Sequence, residues 1–477
     1  MNETENKAIT TTASWSTLFS NGNGIKAIAL ALGVMLHATN VYLATTVMPS
    51  IIKEIGGLEY YAWNTTLFVV ASVIGSVVST NRLAALGPRK AYQYAILIFA
   101  LGSLLCTLAP NMFVLLAGRF VQGFGGGLLF ALSYAMVRIV FEAKLWSRAM
   151  ALISGMWGIA AFSGPFIGGI FAEINQWRWA FGVLLIICAL IFVISTLILP
   201  KSHGKASVPE LPYFKLSMLV LAALAVSIGS ISDYLVFNIT GLVLALLFLY
   251  VLIYKERKGG LRLLPTGAYS LKNGLGITYA IMTLLMTATA IEIYVPYFAQ
   301  TIYGFSPLQS GYLTVLIAFG WTFSSLIFSG VTGKAVFRII RLGALLMFLG
   351  LLGLTLVSTQ AVAPMYIVIN AVFLFMIGVG IGMGWPHLLT RVFALAPKGE
   401  EALAASSVTT VQLMATTFGA ALAGLVSNMA GIKVPGGIEG ATQASVFLYG
   451  IFALSPFIAL LFLFLKREII VETKDLN

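Results

Sequence analysis

The sequence predicts an all-α integral membrane protein with fourteen transmembrane helices and with both termini in the cytoplasm. Three observations predict this fold class: charged residues are scarce, long apolar runs are numerous, and basic residues concentrate in every second loop. Of the 477 residues, 59% are hydrophobic and 9% are charged, whereas an ordinary soluble domain carries about 25% charged residues. With a mean hydropathy of +0.97, most of the protein surface must face lipid instead of water.

The fourteen apolar runs divide into groups of six, two and six. Each run approaches or exceeds the roughly 20 residues that a helix needs to cross a bilayer core. The first six lie between Ile25 and Leu199, two between Pro212 and Tyr254, and six between Gly276 and Leu465. We therefore predict a cytoplasmic tail at 1–24, a six-helix bundle at 25–199, a linker with an inserted two-helix hairpin at 200–274, a second six-helix bundle at 275–465, and a cytoplasmic tail at 466–477.

The Lys and Arg residues test this count, because cytoplasmic loops are enriched in them. With the N-terminus inside and the loops alternating, 24 of the 28 basic residues fall on the cytoplasmic side. Lys53, Arg178 and Lys433 fall outside, and Arg119 alone lies within a span. One span missed or invented in mid-chain would move every later loop to the other side and remove this asymmetry.

Composition also excludes several classes of function. Cys106 and Cys188 both lie within apolar runs, so neither a disulfide framework nor a thiolate metal site is expected. The net charge of +12 is spread between apolar runs instead of forming a basic face for nucleic acid. The chain contains no nucleotide-binding G-x-x-x-x-G-K-[ST] run. We therefore expect that the protein is not an enzyme and that it binds no metal, cofactor or nucleic acid. We expect it to be a monomer in the bilayer.

The fourth span carries the run Leu115–Gly127, which contains Arg119, Gln122 and Gly123. An arginine inside a bilayer costs about 2.5 kcal/mol or more, so we expect it to face a polar cavity and to have a function. Gln122 lies three residues on, on the same helical face, and can be its partner. The alternative is a structural arginine that donates to backbone carbonyls.

The fifth span carries Gly164, Pro165, Gly168 and Gly169. Proline interrupts the helical hydrogen bonds, and the glycines let another helix approach closely. The physics alone predicts a bend at a tight interface, which could serve helix packing only or gating.

These two motifs, with the loop Gly87-Pro88-Arg89-Lys90, resemble the major facilitator superfamily. The run at Arg119 is similar to that family's R-x-x-Q-G motif, and the run at Gly164 is similar to the GPxxGG motif of its antiporters. The six-two-six layout and the segment Trp177–Phe181 resemble its fourteen-helix drug/proton antiporter branch. The resemblance implies a 6+2+6 major facilitator fold, with gating roles for Gly87, Arg89, Lys90, Gly164, Pro165, Gly168 and Gly169.

Two positions depart from that branch. Asn40, within a segment of the first span that is similar to the branch's D-x-T-x-x-N-x-x-x-P pattern, stands where an aspartate is usual. Ala84 stands where the family's loop motif after the second span has an aspartate. The first change removes a usual cation or proton site, and the second removes a charge that helps to latch the two halves. Proton coupling must therefore use another acid or be absent.

Glu292 is the candidate for that acid, because it alone of the sixteen acidic residues lies well within a span. Thr289 lies one turn before Glu292, and Pro296 and Gln300 lie one and two turns after it, so these residues should share its helical face. Tyr294 and Tyr297 make its surroundings aromatic, and desolvation favours the protonated carboxyl. The alternative is a glutamate that only stabilises a kink at Pro296.

The sequence therefore predicts a multi-pass inner-membrane antiporter that exports lipophilic, cationic drugs or toxic compounds in exchange for protons. We expect Glu292 and Arg119 to couple protons, and substrate to contact His37, Asn40, Gln122, Tyr294, Tyr297 and Gln300. Two alternatives remain open. One is an exporter of a single metabolite, a siderophore or an organic anion, with Arg119 binding the substrate. The other is a membrane sensor that transports nothing.

Overall fold

The computed structural model describes residues 15–20, 22–201, 210–232, 234–358 and 364–465, and the secondary structure in these ranges is helical. Three short 3-10 helices, Leu58–Tyr60, Ala143–Leu145 and Thr289–Ile293, accompany the α-helices. In chain order the α-helices are α1 (Trp15–Phe19), α2 (Asn23–Ile55), α3 (Trp63–Thr107), α4 (Met112–Val140), α5 (Trp146–Glu173), α6 (Trp177–Ile198), α7 (Tyr213–Gly229), α8 (Leu235–Arg257), α9 (Gly274–Ala288), α10 (Val295–Tyr303), α11 (Pro307–Phe328), α12 (Lys334–Val357), α13 (Pro364–Ala394), α14 (Glu401–Met429) and α15 (Gly437–Leu465).

Polar residues mark several helix starts. Asn111 accepts a hydrogen bond from the backbone N–H of Val114 at the start of α4, and Asn273 accepts one from Gly276 at the start of α9. Ser306 and Gln309 form a reciprocal capping box at the start of α11. These side chains satisfy backbone donors that have no partner within the helix.

Within the described ranges, twelve helical segments are long and apolar enough to cross a membrane. The chain is thus an all-helical, multi-pass membrane protein. The difference from the fourteen predicted spans arises at two places. The segment Leu58–Thr107 runs for 50 residues as one element, and Tyr213–Gly229 is an apolar helix of fewer than 18 residues.

The long segment is interrupted at Gly87, where we expected a loop between two spans. Gly87 has φ 75° and ψ 169°, a conformation that glycine adopts readily and other residues rarely. Pro88 follows and has no N–H to donate. Arg89 donates from Nε to the carbonyl of Leu199, at 2.7 Å, and Lys90 is exposed. One residue therefore makes the break, and helical backbone continues on both sides of it.

The chain divides into two compact units. The first comprises residues up to Val47 and the stretch Leu67–Leu211; the second comprises Met48–Thr66 and the chain from Pro212 onward. The inserted hairpin, α7 and α8, thus clusters with the second unit. The predicted tails fall largely outside the described residues, which begin at Trp15 and end at Leu465. The predicted domain boundaries stay a prediction.

A buried ion pair closes the base of the hairpin. Lys215 Nζ on α7 lies 2.8 Å from Glu256 Oε1 on α8, and their side chains are only 10% and 2% exposed. Lys215 also donates to the carbonyl of Leu261, at 2.5 Å, and Glu256 accepts from the N–H of Leu263, at 3.1 Å. The pair thereby fixes the chain that leaves α8 against the start of α7.

We expect Lys215→Met to destabilise the protein, because it leaves the Glu256 carboxylate buried without its cation. Breaking a buried pair in this way costs about 3–5 kcal/mol. The measurement is thermal unfolding of the purified protein, with Lys334→Met, at an exposed lysine, as the control. Restored stability in the double variant Lys215→Met/Glu256→Met is expected, and equal melting temperatures for the two single variants would contradict the argument.

Candidate functional site

Arg119 lies at the centre of a buried polar cluster in the first unit. Its side chain is on α4 and the residue is 1% exposed. The Nη1 atom donates to Asn40 Oδ1 on α2, at 3.0 Å, and to Gln122 Oε1 one turn along α4, at 2.5 Å. Gln122 Nε2 in turn donates to Ser103 Oγ on α3, at 2.8 Å. The cluster therefore ties three helices together through one guanidinium.

Aromatic rings cover the other side of this guanidinium. The Arg119 Cζ atom lies 4.2 Å from the ring centroid of Phe68, close enough for a cation–π interaction. The His37 ring stacks on Phe68 with centroids 5.3 Å apart, and it also contacts Phe130 and Trp157. The His37 Nδ1 atom is buried, and the described residues offer it no hydrogen-bond partner.

Glycines bring the helices of this cluster into close contact. A Cβ atom at Gly102 would lie 2.2 Å from the backbone N of Gln122, and one at Gly123 would lie 2.1 Å from the carbonyl oxygen of Phe68. Neither contact is possible with a side chain, so α3 and α4 meet backbone to backbone at the level of Arg119. This close approach brings Ser103 and Phe68 within reach of the α4 polar groups.

The glycines of α5 contact α2. A Cβ atom at Gly164 would lie 2.6 Å from Tyr42 Cβ, and one at Gly168 would lie 3.0 Å from the carbonyl oxygen of Leu43. Pro165 and Gly169 are buried beside them. Thr39 and Ser163 add a hydrogen bond between their hydroxyls, at 3.1 Å. The motif makes a tight helix–helix interface, as its composition predicts.

We expect Gly164→Val to force α5 away from α2 and to destabilise the fold by about 1–3 kcal/mol, the usual cost of overpacking. Gly155→Val on the same helix is a matched control, because a Cβ atom there meets nothing within 4 Å. Thermal unfolding of both variants measures the difference. Equal losses of stability would show that helix propensity, and not the α2 contact, sets the cost.

Glu292 lies at a break between two helices of the second unit. It belongs to the 3-10 helix Thr289–Ile293, which separates α9 from α10. Pro296 stands in the first turn of α10 and cannot donate an N–H to the carbonyl of Glu292. Tyr294 N–H instead bonds the carbonyl of Ile291, at 3.1 Å. The expected single face of one continuous helix is therefore interrupted between Glu292 and Pro296.

The Glu292 side chain is half-buried. No other described residue forms a hydrogen bond or an ion pair with its carboxylate. A carboxylate at membrane depth without a cation is costly, so this side chain is suited to taking up a proton or a cationic group. Gln300, predicted on the same face, donates instead to Ser310 Oγ on α11, at 2.8 Å.

An aromatic stack adjoins Glu292. Tyr294 is fully buried, and its ring stacks on that of Tyr61 with centroids 4.7 Å apart. Tyr297 meets the Tyr61 ring edge-on at 5.5 Å, and Phe298 stacks on Tyr294 at 5.7 Å. The hydroxyl oxygen of Tyr61 is buried and lacks a hydrogen-bond partner within the described ranges.

The helix α14 packs against this region through glycines. A Cβ atom at Gly419 would lie 2.7 Å from Ala290 Cβ, and one at Gly424 would lie 2.7 Å from Ala62 Cβ. Asn428, farther along α14, donates to the carbonyls of Glu59 and Ser230, at 3.0 and 2.9 Å. Glycines of α5 thus contact α2 in the first unit, and Gly419 of α14 contacts the 3-10 helix between α9 and α10 in the second.

The structure brings some predicted residues together and adds others. Arg119, Asn40 and Gln122 form one cluster with His37 nearby, whereas Glu292, Tyr294, Tyr297 and Gln300 belong to the second unit. Asn40, Gln122, His37 and Tyr294 are all buried. No local sequence pattern links Ser103, Phe68, Tyr61 and Asn428 to their partners, so their places in these clusters could not be predicted. Among the described residues no group of three His, Cys, Asp or Glu side chains could hold a metal ion.

Comparison with curated proteins finds multidrug transporters. The chain is 36% identical over 432 residues to a probable multidrug-efflux transporter of Mycobacterium tuberculosis, covering 88% of this chain and 90% of the relative. It is 28% identical over 415 residues to the multidrug transporter MdtP of Bacillus subtilis, covering 84% and 74%. The multidrug efflux pump SdrM of Staphylococcus aureus is 27% identical over 308 residues, covering 62% and 67%.

Comparison with solved structures finds the same fold at low sequence identity. A POT family transporter superposes with a TM-score of 0.68 at 16% identity, covering 93% of this chain and 96% of the other. A D-xylose-proton symporter superposes with a TM-score of 0.64 at 14% identity, covering 92% and 97%. The family model of the Major Facilitator Superfamily matches residues 30–420. The chain belongs to the major facilitator superfamily and is a membrane transporter, not an enzyme.

Proposed function

We propose that this protein is a proton-coupled antiporter that exports lipophilic, cationic compounds by alternating access across the inner membrane. The main support for this proposal is the environment of the Glu292 carboxylate. This carboxylate lies half-buried at a helix break inside a membrane-spanning segment, and it has no ionic partner among the described residues.

A single unpaired carboxylate can exchange a proton for a cation. When protonated it is neutral, and when ionised its charge is compensated by a bound cationic group. The two states exclude each other, which is the requirement for antiport. The aromatic rings of Tyr294 and Tyr297 adjoin the carboxylate in sequence and suit lipophilic cations, because ring faces attract positive charge. The relatives named as multidrug transporters support drugs as substrates, and the Glu292 carboxylate supports their positive charge.

The proposal includes fourteen crossings with both termini in the cytoplasm. The count is obtained if Leu58–Thr107 is divided at Gly87 and Tyr213–Gly229 is included. A segment of 50 residues is more than twice the length that one crossing requires. Reporter fusions in the loop at 430–436 test the topology: the proposal requires it outside, and a cytoplasmic location would refute it.

Arg119 is proposed to tune coupling instead of binding substrate. Its guanidinium is enclosed by Asn40, Gln122 and Phe68, so an anionic substrate would have to displace these partners. The alternative of a dedicated exporter of an organic anion therefore draws less support.

Transport in proteoliposomes tests the proposed function. With an imposed pH gradient, acidic on the side to which substrate moves, we expect lipophilic cations to accumulate on the acidic side. Each addition of substrate should move protons out of that acidic compartment. Anions of matched size and hydrophobicity should not move. Gradient-driven transport of the anions alone would establish the metabolite exporter, and the absence of proton movement with every compound would favour a protein that transports nothing.

A further inference from the structure

The loop between α8 and α9 folds around a cavity of about 370 Å³. Its lining includes Arg257, Arg262, Lys272 and Thr266, together with the apolar side chains of Leu264 and Pro265. The positive-inside pattern predicts this loop on the cytoplasmic side. A cavity that combines three basic side chains with an apolar wall is suited to an anionic, amphipathic ligand.

The negative groups near this cavity are already neutralised. Glu256 is paired with Lys215 at 2.8 Å. Glu400 accepts hydrogen bonds from the hydroxyl and the N–H of Thr266, both at 2.6 Å, and its Oε1 lies 3.3 Å from Arg262 Nη1. These bonds, with the nearby Arg262, hold the pKa of Glu400 below its ordinary value. Glu400 therefore stays ionised and fixes Arg262 at the cavity wall.

Two cations of the cavity have no such counter-ion. Arg257 and Lys272 are exposed, and neither forms an ion pair with any described residue. The Nη2 atom of Arg257 donates to the backbone carbonyl of Tyr269, at 3.2 Å. The wall therefore carries a surplus of positive charge.

The surroundings place the cavity at the level of lipid headgroups. Lys258 Nζ lies 4.4 Å from the ring centroid of Tyr254 at the end of α8, and Tyr254 stacks on Tyr250. Tyrosines and basic residues at the end of a membrane-spanning helix mark the membrane–water interface. Leu261 and Leu271, within the loop itself, are each 46% exposed, which suits contact with lipid better than with water.

An apolar stripe leads from this level along α8. Val243, Leu247, Tyr250 and Tyr254 are all exposed and recur at helical spacing, so they form one face. We propose that the cavity binds the headgroup of an anionic phospholipid, with its phosphate between Arg257, Arg262 and Lys272 and its acyl chains along this stripe. The lipid would thereby hold the loop in place between α8 and the Glu400 segment that precedes α14.

The test counts lipids bound to the purified, full-length protein by native mass spectrometry in detergent. We expect phosphatidylglycerol to bind in preference to phosphatidylcholine, and inorganic phosphate to bind much more weakly than phosphatidylglycerol. The double variant Arg257→Gln/Lys272→Gln should weaken phosphatidylglycerol binding about thirtyfold, since each basic residue near anionic lipid contributes about fivefold.

The double variant Lys334→Gln/Arg338→Gln is the matched control, because it removes two exposed basic residues from another predicted cytoplasmic loop. It should bind phosphatidylglycerol like the wild type. Three results would each overturn the proposal: equal binding of phosphatidylcholine, binding of inorganic phosphate as tight as that of the lipid, and equal affinities of the two double variants. Matching melting temperatures of both variants in phosphatidylcholine verify that each is folded.

Discussion

Glu292→Gln is expected to abolish proton-driven export while leaving the protein folded. Glutamine keeps the size and the polarity of the side chain but neither binds nor releases a proton between pH 5 and 8. Because no other described residue bonds the Glu292 carboxylate, the substitution breaks no hydrogen bond and should leave the melting temperature close to that of the wild type. Substrate accumulation driven by a pH gradient in proteoliposomes should fall to that of protein-free vesicles.

Two further variants separate an effect on proton coupling from an effect on substrate binding. Glu292→Asp retains an ionisable group and should keep part of the gradient-driven transport. Glu439→Gln, at an exposed glutamate in the first turn of α15, is the control for removal of one negative charge and should transport like the wild type. Undiminished pH-driven transport by Glu292→Gln would refute the role of Glu292. A variant that unfolds would instead favour a glutamate that stabilises the helix break.

Local chemistry could be predicted from the sequence where the partners lie within one turn. Arg119 and Gln122 are three residues apart on α4, so their contact follows from helical geometry. The residues that complete the cluster, Asn40 and Ser103, come from α2 and α3. One sequence contains no signal that selects them from the other polar residues in these helices.

Backbone breaks were predictable in position but not in form. Hydropathy divides the chain at 81–90 because polar residues interrupt the apolar run, yet polarity does not end a helix. In this segment the helix is broken at Gly87, where φ is positive. At Glu292 the position of Pro296 predicts a kink, but not the 3-10 helix Thr289–Ile293 or its close contact with Gly419 of α14. Tyr61 and Tyr294 are an extreme case, because no local pattern links two rings so far apart in sequence.

Arg119→Ala is expected to cost both stability and transport. The substitution leaves the amide oxygens of Asn40 and Gln122 buried without their donor, and each lost partner costs about 1–3 kcal/mol. We therefore expect a loss of about 2–6 kcal/mol and a melting temperature lower by several degrees. Arg82→Ala, at an exposed arginine, is the control and should unfold like the wild type. Equal melting temperatures for both variants would show that the cluster does not hold α2, α3 and α4 together.

Asn40→Asp tests the same cluster in the opposite direction. Arg119 Nη1 lies 3.0 Å from Asn40 Oδ1, so an aspartate would place a carboxylate against a buried guanidinium. Asn40 Nδ2 is buried and lacks a hydrogen-bond partner within the described ranges, so its replacement by an oxygen sacrifices no bond. Arg119 is already buried, so the attraction between its guanidinium and the new carboxylate is weakly screened. We expect a melting temperature at least equal to that of the wild type.

The same variant tests how the chain couples protons. An aspartate at this position would place an acid beside Arg119 within α2, so it can add a second protonatable group to the cycle. If Glu292 is the only proton-coupling residue of the native chain, the added aspartate in Asn40→Asp should not lower the number of protons exchanged per substrate molecule. In the double variant Asn40→Asp/Glu292→Gln, any recovered pH-driven transport would show that the new acid can take over coupling. A lower melting temperature for Asn40→Asp would contradict the expected net gain from pairing a carboxylate with the buried Arg119 guanidinium.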